Sequence, residues 1–236
     1  MKTIVNTNKG KRETNQDCVL VRNIAPDTFL LLVVDGMGGY EHGEEVAKLV
    51  AENIQTYLST IKEFDSNQIQ KSVNKANLAV RQFKDRKKSK CGATVAGIIL
   101  SSQEALCFWV GDVKVFHFRE GILLAESRSH TLMNDVIENS QLTDAKQISK
   151  FKHIVTRSIQ GDIELSQIDY FKVVAINDKD MFMICSDGVH DIFGGTRIQH
   201  ALSNASTPDE AMNNICEQLK IEAEDNFSLI CASRSL

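Results

Sequence analysis

Five consecutive apolar residues, Leu30 to Val34, run into Asp35 and then into Gly36, Gly38 and Gly39. A short apolar run with a β-branched end, stopped by glycine, predicts a buried strand rather than a helix. Ahead of it, residues 2–6 and 17–21 are apolar enough for two more strands, with Pro26-Asp27 as a turn. After Glu41 the period changes. Val46, Leu49, Val50, Ile54 and Leu58 recur at helical spacing, and Ile69, Val73, Ala76, Val80 and Phe83 do so again. Two amphipathic helices are predicted, over about residues 43–60 and 67–87.

Four short apolar runs follow, at 93–100, 105–110, 113–119 and 122–127, and in series they predict an antiparallel meander. Residues 128–152 are polar with weak periodicity and read as short helices or an insertion. Strand character returns at 153–156, 166–175 and 181–185, a helix is expected at 208–220 behind Thr207 as N-cap, and 227–232 forms a last strand. The sum is an α+β pattern in which helices cover sheets on their outer faces.

Composition adds limits. With 42% hydrophobic and 25% charged residues there is ample material for a core, and two prolines with no Gly/Ser-rich tract leave no linker, so residues 1–236 are expected as one domain. A net charge of −4 argues against a nucleic-acid backbone as partner. Neither a signal peptide nor a membrane span is expected. Six cysteines lack C-x-x-C spacing and lie mostly in apolar runs, which favours a reducing cytoplasm over disulfides or zinc.

Asp17, Asp35, Asp112, Asp187 and Asp225 each stand where an apolar run begins or ends. Aspartate favours turns, and for any one of the five a turn is the simpler account. Asp35 alone is balanced between fixing its glycine turn and facing a site. Cys185-Ser186-Asp187-Gly188 repeats the pattern of an apolar strand delivering Asp-Gly, and Asp225-Asn226 opens the last strand. If these strands share a core, their ends bring several carboxylates to one rim. Crowded carboxylates resist ionising together unless a cation joins them, and an all-oxygen set suits Mg²⁺ or Mn²⁺.

Several stretches carry a family resemblance. They are Gly10-Lys11-Arg12-Glu13-Thr14-Asn15-Gln16-Asp17, VVDGMGG at 33–39 with Gly43-Glu44 behind it, and Cys91-Gly92-Ala93-Thr94. Trp109-Val110-Gly111-Asp112, Thr156-Arg157, Cys185-Ser186-Asp187-Gly188 and Asp225-Asn226-Phe227-Ser228 complete the set. In this order, spanning nearly the whole chain, they resemble the PP2C-type metal-dependent Ser/Thr protein phosphatases in compact bacterial form.

The resemblance implies a two-sheet antiparallel β-sandwich flanked by helices, with a flap insertion at about 128–152. It implies a centre of two Mn²⁺ or Mg²⁺ ions and a weaker third. By motif, Asp35 matches the carboxylate bridging both metals, Gly36 lends a backbone carbonyl, and Asp187 and Asp225 match ligands of the second ion. Asp17 matches an outer, water-mediated contact, Asp112 with Asp187 the third site, and Arg12 the arginine that holds phosphate. The implied reaction is direct attack of a water shared by the metals on phosphoserine or phosphothreonine. Phosphorylated proteins and a Ser/Thr kinase are the implied partners of a monomeric, cytoplasmic enzyme.

Three places depart from the pattern. Tyr40 stands where bacterial members carry a histidine, a proton-donor position, and tyrosine with a pKa of about 10 is a poor acid at neutral pH. His42, two residues on, is the alternative acid or an exposed residue of the helix start. Val113 and Lys114 replace the family's Ser-Arg, and Ser129-His130 replaces its Asp-His. These changes leave two other readings open: a catalytically weak phosphoprotein-binding regulator on the same fold, or a small-metabolite phosphatase.

Overall fold

The computed structural model describes residues 1–37, 42–138 and 149–233. Its strands are β1 (Lys2–Asn8), β2 (Asp17–Ala25), β3 (Thr28–Gly36), β4 (Ala93–Leu100), β5 (Glu104–Val110), β6 (Lys114–Arg119), β7 (Ile122–Glu126), β8 (Asp169–Val174), β9 (Asp180–Cys185) and β10 (Phe227–Ser233). Its helices are α1 (Gly43–Leu58), α2 (Ser66–Lys87), α3 (Leu132–Glu138), α4 (Asp187–His190), α5 (Gly195–Asn204) and α6 (Pro208–Glu222). The strands form two five-stranded antiparallel sheets, ordered β2-β3-β4-β5-β8 and β1-β10-β9-β6-β7.

The unbroken apolar run in β3 follows from burial on both faces. Leu30, Leu32 and Val34 pack with Val46, Val50 and Ile54 of α1 and Ile69 and Val73 of α2. Leu31 and Val33 point the other way, onto Val115, Phe182, Ile184 and Ile230 of the second sheet. That second sheet repeats the logic, with Phe116, Met183 and Leu229 packed against Met212, Ile215 and Leu219 of α6. Alternation is invisible in such strands because neither face meets water. Helices on both outer faces complete the expected α+β sandwich.

The expected meander over residues 93–127 is not formed. β4 and β5 pair in one sheet and β6 and β7 in the other, while β6 takes β9 as its second neighbour. The chain changes sheet at Gly111–Val113, turning at Gly111 with φ 106°, a conformation open to glycine. Val113 is fully buried between the sheets. Hydrophobic pattern marks a strand but not its partner, so the crossing leaves no trace in the periodicity.

The strand expected at 153–156 is instead a single bridge between Val155 and Thr131. Leu132 N–H donates to the Ile154 carbonyl at 2.8 Å and Thr156 N–H to that of His130 at 2.9 Å, so the two ends of the expected flap meet at its base. Residues 139–148 of that segment lie outside the described residues. The strand expected from Ser166 begins only at Asp169, because the Ile168 N–H is taken by Gln70 Oε1 of α2. Thr207 caps α6 as expected, accepting from the Glu210 N–H.

Register sends the candidate residues to one end. Asp17 lies directly opposite Asp35, and Asp35 opposite Thr94. Val95 pairs with Val110, one residue before the crossing that carries Asp112. In the other sheet, Leu229 and Lys114 both pair with Cys185, so the β9 exit to Asp187 and the β10 entry from Asp225 share an end with that same crossing.

The β9 exit is pressed hard against the β10 entry. A Cβ on Gly188 would sit 2.1 Å from the Asn226 carbonyl oxygen. Gly188→Ala is therefore expected to lower the unfolding free energy by about 2 kcal/mol, read from the urea midpoint. A change under about 0.5 kcal/mol would contradict this packing.

Candidate metal centre

A cavity of about 590 Å³ opens at this rim, lined by Arg12, Asp35, Gly36, Asp112, Asp187 and Asp225 among others. Asp17 sits behind it, opposite Asp35 in the ladder. Each aspartate arrives on a different piece of chain, and the packing of the two sheets converts five scattered positions into one acidic wall.

The surrounding polar groups hold these pieces in place. Asn226 accepts from the Gln16 N–H through Oδ1 at 2.8 Å and donates through Nδ2 to the carbonyls of Lys9 (2.9 Å) and Thr14 (2.8 Å). One side chain thereby grips both limbs of the loop that carries Arg12. Ser186 donates to Asp17 Oδ2 at 2.9 Å and accepts from the Ser228 N–H at 2.9 Å, joining the Asp17 strand to the Asp187 turn. His130 Nδ1 accepts from the Gly111 N–H at 3.0 Å, and its ring lies over Trp109, which fixes the crossing at Asp112. Sequence reasoning gave none of these three a role, although Asn226 and Ser186 stood inside the quoted motifs.

Burial dominates the electrostatics. It raises Asp17 to about 6, against hydrogen bonds from Ser228 and Ser186, with the charge of Asp225 adding to the rise. Burial raises Asp187 to about 8, and Asp112, Asp225 and Asp191 push it the same way. Asp35 is held well above the usual range by burial and then by Asp17, Asp187, Asp112 and Asp225, while Asp112 is raised by burial with His190 opposing. Arg12 donates through Nη2 to Asp225 Oδ2 at 2.7 Å, and this bond raises the guanidinium pKa.

Other candidates fall elsewhere. His42 adopts a left-handed φ of 70° ahead of α1, places Nδ1 2.6 Å from Glu45 Oε2 and sets its ring edge-on to Phe83, away from the cavity lining. Tyr40 lies outside the described residues. His153, on the far limb of the flap, does line the cavity. Nothing in its sequence neighbourhood singled it out.

Among the described residues, no three acid, histidine or cysteine side chains close around one ion-sized point. Asp35, Asp112, Asp187 and Asp225 face one space, where each charge disfavours the ionisation of the others. The wall nevertheless fits hard divalent cations. Its donors are all oxygen, its carboxylates are unfavourable as bare anions, and Asp17 Oδ1 is buried without a hydrogen-bond partner.

Comparison with known proteins bears on the family and the fold. A model of the family Protein phosphatase 2C matches residues 7–226. A serine/threonine phosphatase, stp, from Listeria monocytogenes is 24% identical over 253 residues, covering 98% of this chain and 94% of that protein. The fold matches serine/threonine phosphatase Stp1 from Staphylococcus aureus with a TM-score of 0.88 at 19% identity, covering 100% of this chain and 95% of that one. It also matches the catalytic domain of the serine threonine protein phosphatase PstP, in complex with two manganese ions, with a TM-score of 0.80 at 20% identity, covering 98% and 97%.

The raised carboxylates make metal-free stability depend on pH. Above pH 4 the folded chain holds a proton on Asp17 up to about pH 6 and one on Asp187 up to about pH 8 that the unfolded chain has released, so stability falls as pH rises through that window. In chelator, the melting temperature is expected to drop by roughly 5 °C from about pH 5 to about pH 8, and Mn²⁺ is expected to restore most of it at the upper end. Asp187→Asn flattens the profile, as differential scanning fluorimetry would show.

Proposed function

The chain belongs to the protein phosphatase 2C family, and on that premise we propose that it hydrolyses phosphoserine and phosphothreonine in proteins at the acidic rim described above. One observation carries this reading: four aspartates from separate elements face a single cavity, a fifth, Asp17, lies behind them opposite Asp35, and the cavity edge holds an ion-paired arginine. Asp35, Asp187, Asp225 and the Gly36 carbonyl are the groups that would hold two Mn²⁺ or Mg²⁺ ions, with Asp17 acting behind them. Bound ions supply positive charge at the phosphoryl group and activate water for attack on phosphorus.

The chain's own residues do the rest. Arg12 presents a guanidinium suited to gripping phosphate oxygens in a fork, and Asp225 holds it at the cavity edge. Asn226 keeps the Arg12 loop in register with Asp225. Ser186 fixes one oxygen of Asp17, and the other is buried without a hydrogen-bond partner. Substrates then come from a Ser/Thr kinase, and the setting we assign is a monomer in the cytoplasm. No described helix is long and apolar enough to cross a membrane.

The test is hydrolysis of a phosphothreonine peptide with Mn²⁺ and with chelator. Activity is expected to need the metal, and Asp35→Asn or Asp187→Asn to lower kcat at least about 100-fold. Arg12→Ala is expected to lower kcat/KM by a similar factor while Mn²⁺ still binds. Turnover in chelator, or Asp187→Asn at the wild-type rate, would overturn the proposal. A phosphorylated metabolite turned over far better than the peptide would move it to a small-molecule substrate.

A further inference from the structure

Beside the main cavity lies a smaller one of about 150 Å³, sharing Asp112, His153 and Asp187 with it. By family resemblance this is where a third ion would sit, since Asp112 and Asp187 border it. The rest of its lining mixes the oxygen donors Ser129, Thr131 and Asn134 with the basic residues Lys114, Lys152, His153 and His190, and one further carboxylate, Asp191, stands there.

Asp191 is fully engaged by basic groups. Lys152 Nζ is 2.7 Å from its Oδ1, His190 Nδ1 lies 3.4 Å from the same oxygen, and His153 Nδ1 is 3.6 Å from Oδ2. Burial alone would raise this carboxyl, yet the hydrogen bonds from His190 and Lys152 bring it down to about 2. His190 also donates through Nε2 to the Asp112 carbonyl at 3.0 Å, which leaves that backbone oxygen occupied. Lys114 pairs with Glu126, outside this lining. With Asp187 committed to the two-ion centre, Asp112 remains as a single buried carboxylate, with His190 against it and the Lys152–Asp191 pair in the same lining.

We propose that Lys152 is the resident cation of this side cavity: it occupies Asp191, keeps a third divalent ion out, and fastens the end of the flap to the metal rim. The inference rests on the two-ion reading above. Its physical content is a substitution of a fixed charge for a mobile one. A side-chain ammonium is bound at every metal concentration, whereas a weak ion site fills only at high ones. Lys152 follows the turn at Ser149–Phe151 and lies three residues before the Val155 bridge, so the same ion pair ties the flap limb to the α4 turn that carries Asp187.

Equilibrium dialysis against millimolar Mn²⁺, followed by metal analysis of the folded protein, tests the proposal without reference to turnover. The wild-type chain is expected to hold two ions. Lys152→Met and Lys152→Gln, each checked for an unchanged circular dichroism spectrum, are expected to hold three. Lys152→Met combined with Asp191→Asn should return to two. Amide exchange at residues 149–155 is expected to speed up several-fold in the Lys152 variants. Three ions in the wild-type chain, or two in both folded Lys152 variants, would overturn the inference and leave the two-ion reading standing. Fewer than two ions in the wild-type chain would overturn both.

Discussion

Mutual repulsion among carboxylates that the fold itself buries is the constraint on which the rest of this molecule depends. A sandwich of two sheets hides its strand ends from water, and here those ends carry Asp17, Asp35, Asp112, Asp187 and Asp225. Without counter-charge, such a rim works against folding. The structure answers with rigid neutral scaffolding and with one guanidinium. Asn226, Ser186 and His130 hold the aspartate-bearing segments by hydrogen bonds to backbone and side chain. Arg12 is the charged partner, and it is half-exposed. The scaffold therefore fixes positions without neutralising them, and a demand for cations remains. That residual demand is what a metal-dependent hydrolase needs from its apoprotein.

The topology explains why so many acids can meet. Antiparallel pairing places each strand end beside the start of its neighbour, so β2 and β3 bring Asp17 and Asp35 together as one register pair. The crossing between sheets after β5 adds Asp112 at the same height, and the β9 exit and β10 entry add the last two. A meander over residues 93–127 would have kept those four strands in one sheet. The failed expectation and the working rim are thus the same fact.

Much of this was legible in the residues. The strand at Leu30–Val34, both long helices and the last strand stand close to where hydrophobic spacing puts them, because burial on a known face leaves a period. Asp35, Asp187 and Asp225 were legible as a set through the repeated strand-then-aspartate pattern. The sheet change at Gly111 was not, since both faces of every central strand are buried and pattern carries no partner information. The four-residue α4 is too short to show a stripe, and α5 was missed although Ile198, Ala201 and Leu202 form one. Chain proximity left His42 open between an acid at the site and an exposed residue of the helix start, and its left-handed backbone turns it toward Glu45 and Phe83. His153 reaches the cavity beside a bridge, Thr131 to Val155, that no local pattern announces.

The pairing of β1 with β10 joins residues 2–8 to residues 227–233. Arg12 follows the first of these strands and Asp225 precedes the second, and they meet across 213 positions of chain. During synthesis, this corner can close only after residue 225 has left the ribosome. Contacts of such long range also form late and slowly in folding. The acidic rim is therefore assembled late: a polypeptide stopped short of β10 has the core of a sheet and both long helices, but lacks Asp225 and the asparagine that secures the arginine loop. The rim closes when β10 joins β1 and not gradually before it.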